Sequence, residues 1–150
     1  MAIGYGQLMG MKVPENFRRP FLATNVSEFW RNWHITLVDW FRDQVFIPLG
    51  GMQSSRIRAG LIAFLVMVLC GLWHGLTLSL FAWGVWHGLL LLTEAVSGSK
   101  PMPPSRRHGP RYWLRVSWTN ARVAVACVLF LPDTASTLHI LSGLTRWQLR

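Results

Sequence analysis

The alternation of charged and uncharged stretches divides the chain into a mixed N-terminal part, a long apolar middle and a basic C-terminal part. From Ala59 to Thr93 the sequence contains no Asp, Glu, Lys or Arg over 35 consecutive residues. Uncharged apolar stretches of about 18 residues or more are typical of membrane-spanning helices. We therefore predict membrane helices over 59–96.

The uncharged stretch is shorter than two full membrane crossings require. As one helix it would extend about 52 Å, whereas two crossings need about 60 Å. The flanking loops, 52–58 and 97–115, are both basic, and basic loops accumulate on the cytoplasmic side. An even number of crossings must then lie between them. Two short helices with a break near Gly71–Gly75 satisfy this condition, and so does a re-entrant hairpin.

A second pattern, over residues 25–47, predicts an amphipathic helix at the membrane interface. Asn25 is a suitable N-cap, Glu28 stands three residues later as in a capping box, and Pro48 ends the helix. At about 100° per residue the apolar positions share one face. That face holds Trp30, His34, Leu37 and Phe41, flanked by Trp33 and Trp40. The opposite face holds Glu28, Arg31, Asn32, Asp39, Arg42 and Asp43. Such a Trp-rich, charged helix suits the interface rather than a span.

The C-terminal part is predicted to contain the basic loop 97–115 followed by helices over 116–150. Trp113–Ala121 and Val123–Leu131 together are long enough for one helix, in which Arg122 would be paired or would reach the interface. Pro132 ends this helix, and 134–147 is predicted to be a short amphipathic helix. Residues 1–24 are interpreted as the end of an apolar segment followed by an interfacial loop.

The charge pattern argues against a nucleic-acid partner, and the N-terminal sequence argues against a cleaved secretory signal. Hydrophobic residues make up 51% of the chain, a fraction that soluble domains also reach, so the distribution rather than the fraction indicates a membrane protein. The net charge of +9 is explained by cytoplasmic loops and anionic headgroups. The basic residues form no nucleic-acid reading motif, so no nucleic-acid partner is predicted. The N-terminal sequence lacks the features of a secretory signal, so we expect an integral membrane protein without a cleaved leader.

Two histidines lie within the uncharged stretch, each in a Trp-His-Gly triplet. An ionisable side chain at membrane depth is costly and is by default a functional candidate. Neutral His74 or His87 could accept the proton of a hydroxyl that attacks a carbonyl. No Ser or Cys stands in a GxSxG context, so direct transfer is simpler than covalent catalysis. For His34, on the aromatic face of the amphipathic helix, a hydrogen-bonded core position and a reaction chamber are both open.

Metal or haem ligation is the main alternative for His74 and His87. Two such rings on facing helices could hold a haem. However, there is no CxxCH motif and no carboxylate lies between them to complete a non-haem site. We therefore predict no bound metal or cofactor. Cys70 and Cys127 lie in apolar runs and are predicted to be packing residues.

Several ordered motifs resemble the membrane-bound O-acyltransferase (MBOAT) family. They are NVSEFWRNWHITLVDWFRDQVFIPLGG at 25–51, GLWHG at 71–75 and WGVWHG at 83–88. The match is closest to the bacterial alginate O-acetyltransferase branch, including the lead-in GMKVPENFRRPFLATN, and extends from about Gly4 to Val96. Proteins that transfer D-alanyl groups to teichoic acid are similar but more distant.

The resemblance implies roles for individual residues. His74 matches the expected catalytic base, and His34 matches a second active-site position that is histidine in this branch and asparagine in some relatives. His87 matches a frequent family histidine and is expected to be structural or to line the channel. Bracing or substrate-binding roles are expected for Trp30, Arg31, Trp33, Arg42, Asp43 and Trp73. The Arg42–Asp43 pair could instead be a solvated ion pair that contributes little.

The resemblance also implies an all-α, multi-pass protein of the bacterial inner membrane with a partial MBOAT fold and a broken or re-entrant segment over 71–77. An acyl thioester, either acetyl-CoA or a carrier-bound donor, would arrive from the cytoplasm. The acyl group would pass to a hydroxyl of an extracytoplasmic polysaccharide or to a relay protein. Family members are much longer, so we expect the C-terminal catalytic portion of such an enzyme. The alternative is a non-catalytic remnant or partner subunit.

Overall fold

The architecture is a helical hairpin with shorter helices packed against it. A computed structural model describes residues 2–127. The helices are α1 (Ala2–Leu8), α2 (Val26–Asn32), α3 (Ile35–Phe41), α4 (Arg56–His74), α5 (Leu78–Ser97) and α6 (Pro110–Cys127). Within residues 2–127 no strand occurs, which confirms the predicted helical class. The helix predicted over 134–147 lies outside the described residues.

α4 and α5 form a hairpin that is longer than the uncharged stretch of the sequence. Both helices, of 19 and 20 residues, are long and apolar enough to cross a membrane by length and composition. They extend beyond the uncharged run at both ends, which supplies the length that the run alone lacked. α4 ends at His74, and the Thr77 side chain caps α5 by accepting a hydrogen bond from the Leu80 N–H at 3.2 Å. The predicted break near Gly71–Gly75 is therefore observed after His74, between two helices.

The two hairpin helices approach each other closely because glycines stand at their interface. A Cβ atom at Gly84 would lie 2.6 Å from the carbonyl oxygen of Met67, and one at Gly88 would lie 2.9 Å from that of Phe64. This four-residue spacing is the GxxxG pattern by which membrane helices bring their backbones together. The second Trp-His-Gly triplet therefore contributes a packing glycine, whereas the first one ends α4.

The prediction of one continuous helix over 25–47 is wrong. The segment is divided into α2 and α3, and His34 between them adopts a left-handed backbone with φ 47° and ψ 52°. The break is held by an antiparallel bridge between Phe17 and Trp33. The Arg18 N–H donates to the Asn32 carbonyl at 2.9 Å on one side of this bridge. After α3, a π-helical turn covers Arg42–Phe46.

Two buried carboxylates fasten α2 to the rest of the molecule. Glu94 of α5 accepts hydrogen bonds from the backbone N–H groups of Val26 and Ser27 at 2.8 and 2.9 Å, and from the Ser27 hydroxyl at 2.9 Å. These N–H groups belong to the first turn of α2, where no intrahelical acceptor exists. Arg122 of α6 also reaches Glu94, at 3.4 Å, so the predicted pairing of Arg122 is observed.

Glu28 is the second of these carboxylates, and its predicted place on the solvated face is wrong. It is 8% exposed and accepts from the backbone N–H and the hydroxyl of Thr24 at 2.8 and 2.9 Å. Arg107 donates to its other oxygen. The predicted N-cap is present, since Asn25 Oδ1 accepts from the Glu28 N–H at 2.8 Å. The segment 24–28 is thus tied to the loop before α6 as well as to α5.

The C-terminal boundaries differ from those predicted. α6 begins at Pro110, inside the predicted basic loop 97–115, because proline is well suited to the first turn of a helix, where its missing N–H has no intrahelical partner. The two segments on either side of Arg122 were predicted to form one helix. They do so in α6, as far as the described residues extend. Cys70 is buried as predicted, but Cys127 is exposed, so its assignment as a packing residue is wrong.

We expect Gly84→Ala to destabilise the hairpin. Its Cβ would meet backbone atoms of Met67 and Val68 at 2.6 and 2.9 Å, and backbone cannot move aside as a side chain can. Overpacking of this kind lowers the free energy of unfolding by about 1–3 kcal/mol. Unfolding in detergent followed by tryptophan fluorescence measures this loss. Gly4→Ala is the matched control because no heavy atom lies within 4 Å of its Cβ. Equal stability of the two variants would contradict the close packing.

We expect Glu94→Gln to loosen α2. The amide cannot accept at both positions, and Arg122 loses its buried counter-charge. Removing one partner of a buried pair costs about 3–5 kcal/mol. Unfolding in detergent followed by tryptophan fluorescence measures this loss as well. Glu15→Gln is the control, since Glu15 forms an exposed pair with Arg18, and exposed pairs contribute about 0–1 kcal/mol. Similar losses in both variants would show that Glu94 does not hold α2.

Candidate functional site

The fold brings His34 and His74 together although 40 positions separate them in the sequence. α2 runs antiparallel along α5, because its first turn contacts Glu94 whereas Trp30 in its middle contacts His87. His34 therefore arrives near the turn of the hairpin, where α4 ends at His74. Both imidazoles lie against tryptophan rings, His74 with its centroid 6.0 Å from that of Trp83 and His34 with its centroid 5.5 Å from that of Trp33. His74 is exposed and His34 is half-buried.

The His34 ring is held by the segment that precedes α2. Its Nδ1 lies 3.4 Å from the side-chain nitrogen of Asn16. The ring also contacts Phe17, with 4.8 Å between ring centroids, and Trp33, with 5.5 Å. Trp33 in turn stacks on Phe29 at 5.6 Å. Trp33 thus lies beside His34 as a bracing residue of the site.

His87 lies in the core, apart from His34 and His74. It is 1% exposed, and its Nδ1 accepts a hydrogen bond from Trp30 Nε1 at 3.3 Å. Because indole nitrogen is only a donor, this Nδ1 carries a lone pair. The ring of Trp83 lies between the histidines, with centroids 4.8 Å from His87 and 6.0 Å from His74. His87 is therefore enclosed between Trp30 and Trp83.

The remaining candidate residues lie at the surface. Trp73 is exposed and contacts His74, with 4.9 Å between ring centroids. Arg42 forms exposed ion pairs with Asp43 at 2.9 Å and Asp39 at 2.6 Å. The hydrogen bond to Asp43, followed by the charge of Asp39, raises the pKa of Arg42 above its ordinary value. No contact joins this cluster to His34 or His74 among those found in the described part of the chain.

A groove next to the hairpin is not lined by the histidines. Its volume is about 840 Å³, and it lies between α2, α3 and α4, with Trp30, Leu37 and Met67 in its walls. Arg31 and Arg42 also line it. The groove is thus an apolar space with cations at its rim, next to the histidine pair but distinct from it.

Sequence reasoning missed three residues that position the site. Asn16 and Glu94 were not singled out, and neither was Trp83. Glu94 could have been found, because a lone carboxylate at the end of a long uncharged stretch needs a buried partner. Trp83 stands four residues before His87, which places the two side chains on the same helix face. Nothing in the sequence pattern pairs Asn16 with His34, because their contact depends on the break between α2 and α3.

The chemistry available here is that of two neighbouring imidazoles and an aromatic surround. A neutral imidazole can accept a proton from a hydroxyl or donate a hydrogen bond. Across residues 2–127 no group of three or more His, Cys, Asp or Glu side chains converges as a metal site would require.

Comparison with known proteins bears on the same residues. The profile of the membrane-bound O-acyltransferase family matches residues 1–129. Probable alginate O-acetylase AlgI of Pseudomonas fluorescens is 39% identical over 140 residues, which cover 93% of this chain and 27% of that protein. The peptidoglycan O-acetyltransferase of Helicobacter pylori is 40% identical over 83 residues, covering 55% of this chain and 16% of that protein.

A third relative has a different acyl group in its name. The teichoic acid D-alanyltransferase of Bacillus subtilis is 40% identical over 82 residues, covering 50% of this chain and 21% of that protein. This chain spans about a quarter of the length of the alginate O-acetylases that it matches.

We expect Trp30→Phe to destabilise the protein by leaving Nδ1 of His87 without its donor. A buried acceptor left unpaired costs about 1–3 kcal/mol. Unfolding in detergent measures the difference. Trp113→Phe is the matched control, because Trp113 is exposed and its ring contacts only Tyr112 among the described aromatic pairs. If both variants unfold like the wild type, the hydrogen bond does not contribute to stability.

Proposed function

Because the chain belongs to the membrane-bound O-acyltransferase family, we propose that it carries the reacting histidines of a membrane O-acyltransferase. The observation that supports this most is that His34 and His74 both lie against the tryptophan rings near the turn of the hairpin. His34 lies between α2 and α3 and His74 ends α4, so this arrangement depends on both the left-handed turn at residue 34 and the end of α4. His87, in contrast, is enclosed in the core.

In the proposed reaction His74 is the general base. The hydroxyl oxygen of the acceptor attacks the carbonyl carbon of an acyl thioester. A carbon–oxygen bond forms, the carbon–sulfur bond breaks, and His74 takes the hydroxyl proton and passes it to the leaving thiolate. The products are an acyl ester and a free thiol, so no residue of the protein is acylated. His34 stands beside the reacting groups.

The acyl group and the acceptor follow from the relatives' names. Two of the relatives compared are named for O-acetyl transfer, and their named polymers are alginate and peptidoglycan. We therefore propose acetyl transfer, from acetyl-CoA or a carrier-bound thioester, to a hydroxyl of an extracytoplasmic polysaccharide or to a relay protein.

Family membership and the two apolar helices indicate a membrane protein. We propose a multi-pass position in a bacterial inner membrane. Arg56 and Arg58 begin α4, and Lys100 follows α5, so the basic ends of the hairpin would face the cytoplasm. The turn that holds His74 then lies away from these basic ends, at the depth where a cytoplasmic thioester and an extracytoplasmic acceptor would meet.

We expect His74→Ala to lower acetyl transfer about 10²–10⁴-fold, the range that general acid–base groups contribute. The change is introduced into the chromosomal gene that encodes this chain. Isolated membranes are then supplied with labelled acetyl-CoA and with an extract containing acyl carrier proteins, so that either thioester donor is available. Label in polysaccharide is measured. The expected cause is loss of the base, so the amount of inserted protein should not change.

The control for this measurement is His108→Ala, because His108 is exposed in the loop before α6. It should transfer acetyl groups like the wild type. Wild-type membranes that contain the protein but transfer nothing would contradict the proposed function and favour a remnant or partner subunit. Equal activity of His74→Ala and His108→Ala would contradict the assignment of His74.

A further inference from the structure

The orientation of the Asn16 side-chain amide is fixed by its neighbours. The backbone N–H of Thr36 points at Asn16 Oδ1 over 3.2 Å, and the Thr36 hydroxyl donates to the same oxygen at 3.0 Å. A backbone N–H can only donate, so the atom that faces it must be the amide oxygen. The other end of the amide, which lies 3.4 Å from His34 Nδ1, is therefore the NH₂ group.

This orientation determines which ring nitrogen of His34 carries hydrogen. An amide NH₂ donates and cannot accept, so Nδ1 of His34 must present its lone pair. In a neutral imidazole the hydrogen is then on Nε2. His34 is thus a hydrogen-bond donor on the side of the ring that Asn16 leaves open.

The backbone around this contact keeps the two side chains in register. The Ile35 N–H donates to the Asn16 carbonyl at 2.9 Å, next to the bridge between Phe17 and Trp33. The left-handed conformation of His34 is unfavourable for a residue with a Cβ atom, and it persists because the paired segments hold it. The ring is therefore presented by a rigid turn and not by a mobile loop.

We propose that Asn16 is a positioning residue that keeps His34 in the Nε2–H form, so that His34 donates a hydrogen bond to the thioester carbonyl while His74 alone acts as base. This assignment rests on the proposed function. As the acceptor oxygen attacks, negative charge develops on the carbonyl oxygen, and a preorganised donor stabilises it. No proton leaves His34, so the two histidines have different tasks.

The test uses Asn16→Asp, in which the carboxylate still accepts from Thr36 but cannot donate to His34. Histidine-selective ¹⁵N NMR of the chain in bilayers at pH 8.5 reports which ring nitrogen is protonated, and loss of the signal in His34→Asn assigns it. We expect Nε2 to carry the hydrogen in the wild type and Nδ1 to carry it in Asn16→Asp. A wild-type His34 protonated on Nδ1, or a variant with an unchanged ring, would overturn the proposal.

The second readout is acetyl transfer at pH 8.5, about two units above the ordinary pKa of histidine. Loss of a donor to a developing oxyanion lowers kcat by about 10²–10³-fold, so Asn16→Asp should lose kcat on this scale with little change in KM. Gln53→Glu is the control, because Gln53 is exposed, the change adds the same charge, and this variant should keep wild-type kcat.

The outcomes distinguish failure of the donor role of His34 from failure of the proposed function. If the ring of His34 changes its protonated nitrogen in Asn16→Asp but kcat is unaffected, the donor role is overturned while the general-base assignment stands. If wild-type membranes transfer nothing, the proposed function fails, and the donor role fails with it. The NMR measurement still decides whether Asn16 fixes the ring.

Discussion

The structure depends on two carboxylates that are buried within an apolar helical framework. A buried charge is tolerated only where hydrogen bonds and counter-charges satisfy it. Glu94 accepts hydrogen bonds from N–H groups at the start of α2 that have no intrahelical acceptor, and Glu28 does the same for the N–H of Thr24 just before it. Arg122 and Arg107 provide the positive charges. This arrangement fastens α2 to α5 at one end and thereby determines where its other end meets α4.

The opposite end of α2 carries the candidate chemistry. There the helix stops, His34 turns into the left-handed region, and α3 begins. Among residues other than glycine, that region is enriched several-fold in Asn, Asp and His. The hairpin beneath is stiff because Gly84 and Gly88 bring its backbones together. The closely packed hairpin of α4 and α5 and the left-handed turn thus place His34 near His74, whereas His87 packs inside the core.

The long apolar helices were predictable because their pattern is local: absence of charge over 59–93 is enough. The site was predictable only in part. Resemblance indicated His34 and His74, but a helical wheel through 25–47 assumed one continuous helix, and the break at His34 depends on pairing with a distant segment. The same assumption placed Glu28 on a solvated face. Contacts between segments, such as that of Asn16 with His34, leave no periodic trace in a single sequence.

The central claim is that Glu94 holds α2 so that His34 meets His74. Its most direct test is cross-linking with a short bis-maleimide of His34→Cys with His74→Cys, in a background without the native cysteines. The account predicts rapid cross-linking with Glu94 present, much slower cross-linking in Glu94→Gln, and none between positions 34 and 108. Failure of positions 34 and 74 to cross-link, or an equal rate in Glu94→Gln, would contradict it.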